Sequence, residues 1–97
     1  MINISIIIPA YNERSYLPRL LDSIEQARSL YTNGSDAIEV IVADNNSTDT
    51  TALIAHERGC RVTHVEERSI AAARNGGAAV ASGKVLCFVV ADISFLR

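Results

Sequence analysis

The chain has 97 residues, 48% of them hydrophobic and 5% aromatic, and its nine basic and eleven acidic residues give a formal net charge of −2. A chain of this size builds one hydrophobic core, and its apolar content, with neither heptads nor charge blocks, excludes a coiled coil and a disordered tail. Because the sequence has no basic stripe, a nucleic-acid polymer is not an expected partner.

The spacing of the cysteines, the N-terminal sequence and the length of the apolar runs indicate where in the cell the protein is expected. Cys60 and Cys87 are not in a CxxC arrangement, and the N-terminus lacks the cationic start and cleavage site of a signal peptide. The longest apolar run, residues 85–91, is far shorter than the roughly 20 residues that span a bilayer. We expect two buried, reduced thiols in a cytoplasmic protein, and a longer parent protein at the membrane face is the alternative.

The first element is predicted to be a buried strand followed by an amphipathic helix. Residues 4–8 are a β-branched run stopped by Pro9, which is typical of a buried strand. Ser15 is expected to cap the helix and Pro18 fits its first turn, where the missing N–H has no partner to lose. Apolar residues then recur every three or four positions as far as Leu30, which indicates one buried helix face.

A second strand and helix follow. Residues 38–43 form an apolar run that ends at Asp44, and a loop rich in capping residues leads to a helix predicted over residues 49–58. Leu53 and its neighbour Ile54 are expected to face the core. Gly59 is expected directly after the helix, where a left-handed backbone conformation favours glycine.

The last part predicts a half-exposed strand, a helix of small residues and a second buried strand. Residues 61–65 alternate polar and apolar, Ser69 is a candidate cap for a helix over residues 70–82, and residues 85–91 form an apolar run before Asp92. Buried strands joined by helix-length connections imply a parallel sheet with β-α-β-α-β-α-β order. We expect the sequence to be one part of a larger fold, truncated at its C-terminal side.

Polar residues follow three of the four predicted strands. In open parallel sheets, ligands lie beyond the carboxyl ends of the strands. Residues 9–13, Asp44 and Asp92 occupy such ends. Carboxylates there can accept hydrogen bonds from a base or ribose, or bind a hard divalent metal.

Four segments of the chain resemble the motifs of family-2 glycosyltransferases. Residues 4–13 (ISIIIPAYNE) resemble the opening of the family, and residues 42–49 (VADNNSTD) resemble its Asp-Asp-Gly-Ser-Thr-Asp segment. Residues 72–77 (AARNGG), followed by 81–84 (ASGK), are similar to its third motif, and residues 87–92 (CFVVAD) stand where the family carries a metal-binding Asp-x-Asp. The segments occur in the family's order and at about its spacing.

The resemblance implies the N-terminal, nucleotide-binding half of a GT-A-type fold, a Rossmann-like α/β fold with strand order 3-2-1-4. Proteins of this kind transfer a sugar from a nucleotide-diphosphate donor to an acceptor. The implied nucleotide-binding residues are Pro9, Ala10, Tyr11, Glu13, Asp44 and Arg74, and the implied metal ligand is Asp92. In these roles the 9–11 backbone and Glu13 line the base and ribose pocket, Asp44 accepts from the base, and Arg74 approaches the base or a phosphate.

Two departures from the family limit what the resemblance implies. Val90 stands where the family has the first acid of its metal motif, so Asp92 would hold Mn²⁺ or Mg²⁺ with only waters and phosphates, and strong metal dependence is not expected. The chain contains no residue that can be assigned as the general base. We therefore assign no catalytic residue and expect the chain to be inactive alone.

The same residues also have structural interpretations. Asp44 could cap the following loop, Glu13 could be a solvated loop residue or a first-turn acid, and Asp49 fits an N-cap or a first-turn acid. Arg74 could be a surface charge and Asp92 a turn residue.

Two further pairs favour structural roles over ligand binding. Gly76 and Gly77 follow no strand and fit no phosphate-binding pattern, so close packing of a helix on the sheet is the favoured explanation. His56 and His64 lack a second ligand at metal spacing.

Two other functions compete with glycosyl transfer. A non-catalytic nucleotide-binding or regulatory domain is the alternative that Val90 favours. A phosphoacceptor signalling domain would need an acidic pair after the first strand, where Pro9, Ala10 and Tyr11 stand. The base, uracil or guanine, and the acceptor stay open. An edge strand at residues 85–90 also predicts self-association of the chain.

Overall fold

The computed structural model describes residues 1–90, and the segment 91–97, including Asp92, lies outside the described residues. The elements in chain order are β1 (Ile4–Ala10), α1 (Leu17–Ser29), a 3-10 turn (Ser35–Ala37), β2 (Ile38–Asp44), α2 (Thr51–Glu57), β3 (Arg61–His64), α3 (Ile70–Val80) and β4 (Val85–Phe88). The predicted alternation of strands and helices is confirmed. No helix within the described range is long and apolar enough to cross a membrane.

The four strands form one parallel sheet in the order β3-β2-β1-β4, as predicted. In the register of this sheet Ala10 of β1 lies opposite Asp44 of β2, and Asp44 lies opposite His64 of β3. Three strands therefore end side by side at one edge, which we call the carboxyl edge.

Helices cover both faces of the two central strands. On one face α1 and α2 enclose the main core cluster, which consists of Ile8, Ala10, Leu17, Leu21, Ile24, Val40, Val42 and Ala55. On the other face α3 packs on the alternate residues of β1 and β2. Because side chains alternate along a strand and both faces are covered, β1 and β2 are apolar almost throughout.

The contact of α3 with the sheet depends on glycine. A Cβ atom at Gly77 would lie 2.3 Å from Cγ2 of Ile7 and 3.6 Å from Cβ of Ala43, and one at Gly76 would lie 2.5 Å from Cγ2 of Val65. The absence of a Cβ atom at these two positions therefore lets α3 approach the sheet more closely than any other residue type would permit. The interpretation of this pair as a packing feature is supported.

Helix boundaries depart from the sequence prediction in two places. The N–H groups of Tyr16 and Leu17 both donate to the Glu13 carbonyl, so a turn precedes α1, and its N-cap is Tyr16 instead of Ser15. The helix α2 has only seven residues, and Leu53 is 55% exposed because Thr51 and Ala55 form its buried face. Gly59 follows α2 with φ +81°, and the Ser69 hydroxyl accepts from the Ala72 N–H, both as predicted.

The fourth strand was predicted to be buried, and this is wrong for its described residues. In the described part of the chain β4 pairs only with β1, and every one of its four residues is exposed. Cys87 on β4 is therefore exposed and Cys60 half-buried, so the expectation of two buried thiols is also wrong, although both cysteines are free. An apolar run specifies a strand but not which of its sides is covered.

Glu39 links neighbouring segments of the chain at the opposite end of the sheet, which we call the amino edge. Its carboxylate accepts from the Ser5 hydroxyl and from the Ser82 N–H, both at 2.6 Å, and lies 3.3 Å from the Arg61 guanidinium. The Gly83 N–H donates in turn to the Ser5 hydroxyl at 2.8 Å. Burial alone would raise the pKa of Glu39, but these hydrogen bonds and the charge of Arg61 outweigh it and lower the pKa.

We expect Gly77→Ala to lower the free energy of unfolding by about 1–3 kcal/mol, the usual cost of overpacking. The same change at an exposed helix position would stabilise by about 1 kcal/mol, so the sign reports the close contact. Asn75→Ala, exposed on the same helix, is the control and should be neutral or slightly stabilising. Urea unfolding measures both, and a stabilised Gly77→Ala variant would contradict the packing described here.

We expect Glu39→Gln to cost about 1–2 kcal/mol at neutral pH, because charged hydrogen bonds are stronger than neutral ones. The folded pKa of Glu39 is lowered, so its contribution is complete above the unfolded value of 4.5 and is lost as the pH falls through the folded pKa. The stability gap between wild type and variant should therefore close in acid. Exposed Glu57→Gln is the control. A gap that stays constant from pH 7 to pH 3 would refute this role.

Candidate functional site

Three loops meet at the carboxyl edge of the sheet. The Asn45 N–H donates to the Ala10 carbonyl at 2.8 Å, and the Val65 N–H donates to the Asp44 carbonyl at 2.9 Å. These bonds continue the strand pairing past the ends of the strands. They bring together the loops that follow β1, β2 and β3, where ligands bind in folds of this kind.

Asn12 joins the first loop to the second. Its backbone N–H donates to the Ser47 hydroxyl at 2.9 Å, and its side-chain oxygen accepts from the Thr48 N–H at 2.8 Å. Asn12 and Asn46 both have positive φ, 51° and 63°, a conformation that asparagine adopts more readily than most residues. The two loops are therefore held together by side-chain bonds.

Thr51 and Asp49 fix the start of α2. The Thr51 hydroxyl accepts from the Glu13 N–H at 2.8 Å and donates to Asp49, which also accepts from the Thr51 N–H at 2.8 Å. Burial would raise the pKa of Asp49, but the bonds from Thr51 and the nearby Arg14 outweigh it and lower the pKa. The N-cap is Thr50 and α2 begins at Thr51, so the prediction of Asp49 as N-cap or first-turn acid is wrong, although its side chain does accept from the Thr51 N–H.

Asp44 is the buried acid of the site. It is 3% exposed, and its Oδ2 lies 3.3 Å from Nδ1 of His64. Its Oδ1 is buried and has no hydrogen-bond partner within residues 1–90. No bond from Asp44 to the loop that follows it is found there, so the structure does not support a role limited to loop capping. A buried acceptor without a donor is costly and is typical of a functional site.

Asn45 is fully buried beside it and holds the third loop. Its side-chain nitrogen donates to the carbonyl oxygens of Val65 at 3.0 Å and Glu67 at 2.7 Å. Its Oδ1 also has no partner in the described part of the chain. Sequence reasoning missed Asn45, although a polar residue directly after a buried strand was a signal that could have found it.

Two arginines stack on aromatic rings near this edge. The Arg68 guanidinium lies 3.5 Å from the ring centroid of Tyr11, and the Arg74 guanidinium lies 4.5 Å from that of Phe88. Arg74 was predicted from the sequence. Arg68 was missed, because a single cation in a loop has no pattern that marks it.

The other residues predicted to bind the nucleotide or a metal ion are buried or lie outside the described residues. Pro9 and Ala10 are buried in β1, so only their backbone is available to a ligand. Glu13 is 4% exposed and precedes α1 by four residues, which excludes both structural interpretations considered for it. Asp92 lies outside the described residues. Within residues 1–90, no group of three His, Cys, Asp or Glu side chains could hold a metal ion.

A cavity of about 500 Å³ lies away from this site, on the α1 side near the amino edge. Arg28, Arg58 and Arg61 line it together with Cys60. Each of these arginines pairs with a carboxylate, and burial raises the pKa of the Cys60 thiol. The charges of these arginines are therefore compensated, whereas the Asp36 carboxylate, which also lines the cavity, is in no ion pair within residues 1–90. The carboxyl edge is the better candidate site, because the loops that follow three parallel strands meet there.

The sequence profile of the family described as Glycosyl transferase family 2 matches residues 5–97. Validoxylamine A glucosyltransferase from Streptomyces hygroscopicus subsp. jinggangensis is 35% identical over 92 residues, which are 89% of this chain and 21% of that protein. The chain thus spans about a fifth of that relative's length.

Two solved structures share the fold. TarS 1-349 of S. aureus superimposes with a TM-score of 0.81 at 29% identity, over 94% of this chain and 28% of that one. Glucosyl-3-phosphoglycerate synthase of Mycobacterium tuberculosis, solved with Mn²⁺, UDP and phosphoglyceric acid, gives 0.75 at 29% identity, over 93% and 33%. Both similarities cover more than nine tenths of this chain, and the fold is the Rossmann-like GT-A type. With its motifs matched over residues 5–97 and its sheet shared with these enzymes, the chain belongs to glycosyltransferase family 2.

Proposed function

We propose that this chain is the donor-binding part of a glycosyltransferase and holds a nucleotide-diphosphate sugar during transfer of the sugar to an acceptor. The observation that carries the proposal is Asp44, a buried carboxylate at the end of β2 with one oxygen unpartnered within residues 1–90. TarS 1-349 has been solved with UDP-GlcNAc, and the mycobacterial synthase with UDP-glucose, which supports the same ligand class here.

In this proposal each residue of the carboxyl edge has a separate task. Asp44 accepts an N–H of the nucleobase, and the backbone from Pro9 to Tyr11, with Glu13, lines the base and ribose pocket. Arg74 supplies positive charge to the base or a phosphate. Because Asp44 is buried, a hydrogen bond to it is formed away from water and discriminates strongly between bases that can and cannot donate.

No described residue is proposed as a general base. Transfer requires a group that takes a proton from the acceptor while the diphosphate leaves. We therefore propose that this chain alone binds the donor without transferring the sugar.

Metal binding through Asp92 stays a prediction from the family resemblance. A divalent ion would neutralise charge on the leaving diphosphate. The described residues do not fit such an ion by themselves, because Val90 replaces an acid and no cluster of three ligands is present within residues 1–90. We accordingly propose Mn²⁺ or Mg²⁺ as a weak requirement only.

Val90 also favours a second candidate function, a non-catalytic nucleotide-binding or regulatory domain with a degenerate metal site. The two functions are separated by Val90→Asp. If this variant gains Mn²⁺-dependent nucleotide binding that the wild type lacks, the degenerate alternative is correct. If wild-type binding already depends on Mn²⁺, that alternative is wrong.

We further propose that the chain is located in the cytoplasm. Two free cysteines support a cytoplasmic location, because oxidising compartments favour disulfides. A longer parent protein at the membrane face is consistent with the same observation.

The exposed edge of β4 supports a proposal of self-association. Within residues 1–90, β4 pairs with β1 on one side only, and Val85, Leu86 and Phe88 are large apolar residues exposed on it. Unpaired backbone groups on an apolar edge strand invite pairing with another chain. We propose that two copies of this chain associate through this strand.

We expect titration calorimetry to detect binding of UDP or GDP to the chain, and Asp44→Asn to weaken it at least about tenfold, because the amide cannot replace a buried charged acceptor. Asp36→Asn, an exposed acid near the amino edge, is the matched control and should bind as the wild type does. Adding Mn²⁺ should change the affinity little. If a folded sample binds neither nucleotide, or Asp44→Asn binds them unchanged, the proposed donor site is wrong.

We expect sedimentation velocity at rising protein concentration to show a dimer that Leu86→Lys abolishes, because a lysine on an edge strand opposes strand pairing. Leu30→Lys makes the same change at a residue that is 84% exposed after α1 and should leave the dimer intact. A wild-type chain that stays monomeric at high concentration would refute self-association.

A further inference from the structure

We propose that Asn33 is a site of chemical modification, at which the backbone nitrogen of Gly34 displaces the side-chain amide and a new carboxyl group results. The inference goes beyond the proposed function, because it concerns the turn before β2 and not the donor site. It follows from the sequence of this turn, its exposure and a second Asn–Gly pair that the fold protects.

The reaction needs only the chain and water. The backbone nitrogen of Gly34 loses its proton and attacks Cγ of Asn33, so a nitrogen–carbon bond forms. The carbon–nitrogen bond of the side-chain amide breaks, and the amide leaves as ammonia with that proton. Water then opens the cyclic imide at either of its carbonyl carbons, which gives aspartate or β-linked isoaspartate. One water is consumed for each ammonia released, and nothing is oxidised or reduced.

Glycine removes the main steric obstacle to this attack. Because Gly34 has no side chain, its nitrogen is unhindered and its peptide unit can rotate. A Cβ atom at Gly34 would meet no heavy atom within 4 Å apart from its chain neighbours. Asn33 and Gly34 are both exposed. The peptide unit that must rotate is therefore surrounded by solvent.

The attacking nitrogen belongs to a turn that opens easily. The Gly34 N–H donates to the Tyr31 carbonyl at 3.0 Å, outside any helix or strand. The turn lies between α1, which ends at Ser29, and the 3-10 turn Ser35–Ala37. Exposed turns of this kind open at almost no cost in free energy, whereas the core of a fold opens only with much of the structure. The nitrogen is therefore available in the folded chain.

The second Asn–Gly pair of the sequence, Asn75 and Gly76, is protected by the fold. The pair lies inside α3, where each N–H is bonded to the carbonyl oxygen four residues earlier. A Cβ atom at Gly76 would lie 2.5 Å from Cγ2 of Val65, so this peptide unit has no room to rotate. The same dipeptide is therefore reactive at one position and closed at the other.

The products change the turn in charge and in length. The new carboxylate takes the formal net charge from −2 to −3 and lies three positions before Asp36, where like charges repel. The β-linked product also adds one carbon to the main chain, which moves the Gly34 N–H out of its bond with the Tyr31 carbonyl. We expect the modified chain to unfold at a lower urea concentration than the fresh chain.

The test is peptide mapping by mass spectrometry after incubation of the native chain in mild alkali, with a parallel sample in urea. In the native chain Asn33 should become an acid at least about tenfold faster than Asn75, because the turn opens more readily than the helix. In urea the two rates should become nearly equal. Asn33→Gln should abolish the reaction at this position, because the longer side chain closes a ring less readily. Asn75→Gln is the matched control and should leave the rate at Asn33 unchanged.

The results that would overturn the inference differ from one another. Equal rates at both positions of the native chain would show that the fold does not select Asn33. A difference that persists in urea would assign the selectivity to neighbouring residues in the sequence. Aspartate without isoaspartate at position 33 would indicate direct hydrolysis of the amide and refute the attack by Gly34. An unmodified Asn33 after Asn75 has reacted would refute the site itself.

Discussion

The parallel pairing of β1 with β2 is the constraint on which the rest of this structure depends. Both strands are covered on both faces, so almost every residue in them must be apolar, and their polar chemistry is confined to their ends. The register places Ala10 opposite Asp44, so the loops that follow begin at the same level. A slip of one residue would turn each side chain to the other face and bring Ile7 out of its contact with Gly77. The packing that fixes the register therefore also fixes the site.

The two edges of the sheet differ in how their polar groups are satisfied. At the amino edge the Glu39 carboxylate receives bonds from Ser5 and Ser82 and lies beside Arg61, so its charge is used within the fold. At the carboxyl edge the Asn12 side chain accepts from the Thr48 N–H. Thr51 and Asp49 bond to each other and also accept from backbone N–H groups. The unpartnered groups there are the Oδ1 atoms of Asp44 and Asn45, within residues 1–90. The polar groups that bond within the fold thus surround two buried oxygen atoms that have no partner within residues 1–90.

Local signals made most of the fold predictable. β-branched runs, the Ser69 cap and Gly59 act within a few residues, and each was located correctly from the sequence. The errors concern properties set by distant residues. Leu53 is exposed because Thr51 and Ala55 form the buried face of α2, and β4 is exposed because its one neighbour in the described part is β1. The stacking contact of Arg68 joins it to Tyr11, which is 57 positions away in the sequence, so no local pattern could indicate it.

The charge balance of the carboxyl edge explains why its arginines stack on rings. A diphosphate donor would bring negative charge to an edge that already contains the buried carboxylate of Asp44, and like charges repel. An arginine paired with a carboxylate, like those around the amino-edge cavity, would not offset this repulsion. Arg68 and Arg74 are instead positioned by Tyr11 and Phe88, and an aromatic face orients a guanidinium without cancelling its charge. Stacking therefore orients two guanidinium groups at this edge that are in no ion pair within residues 1–90.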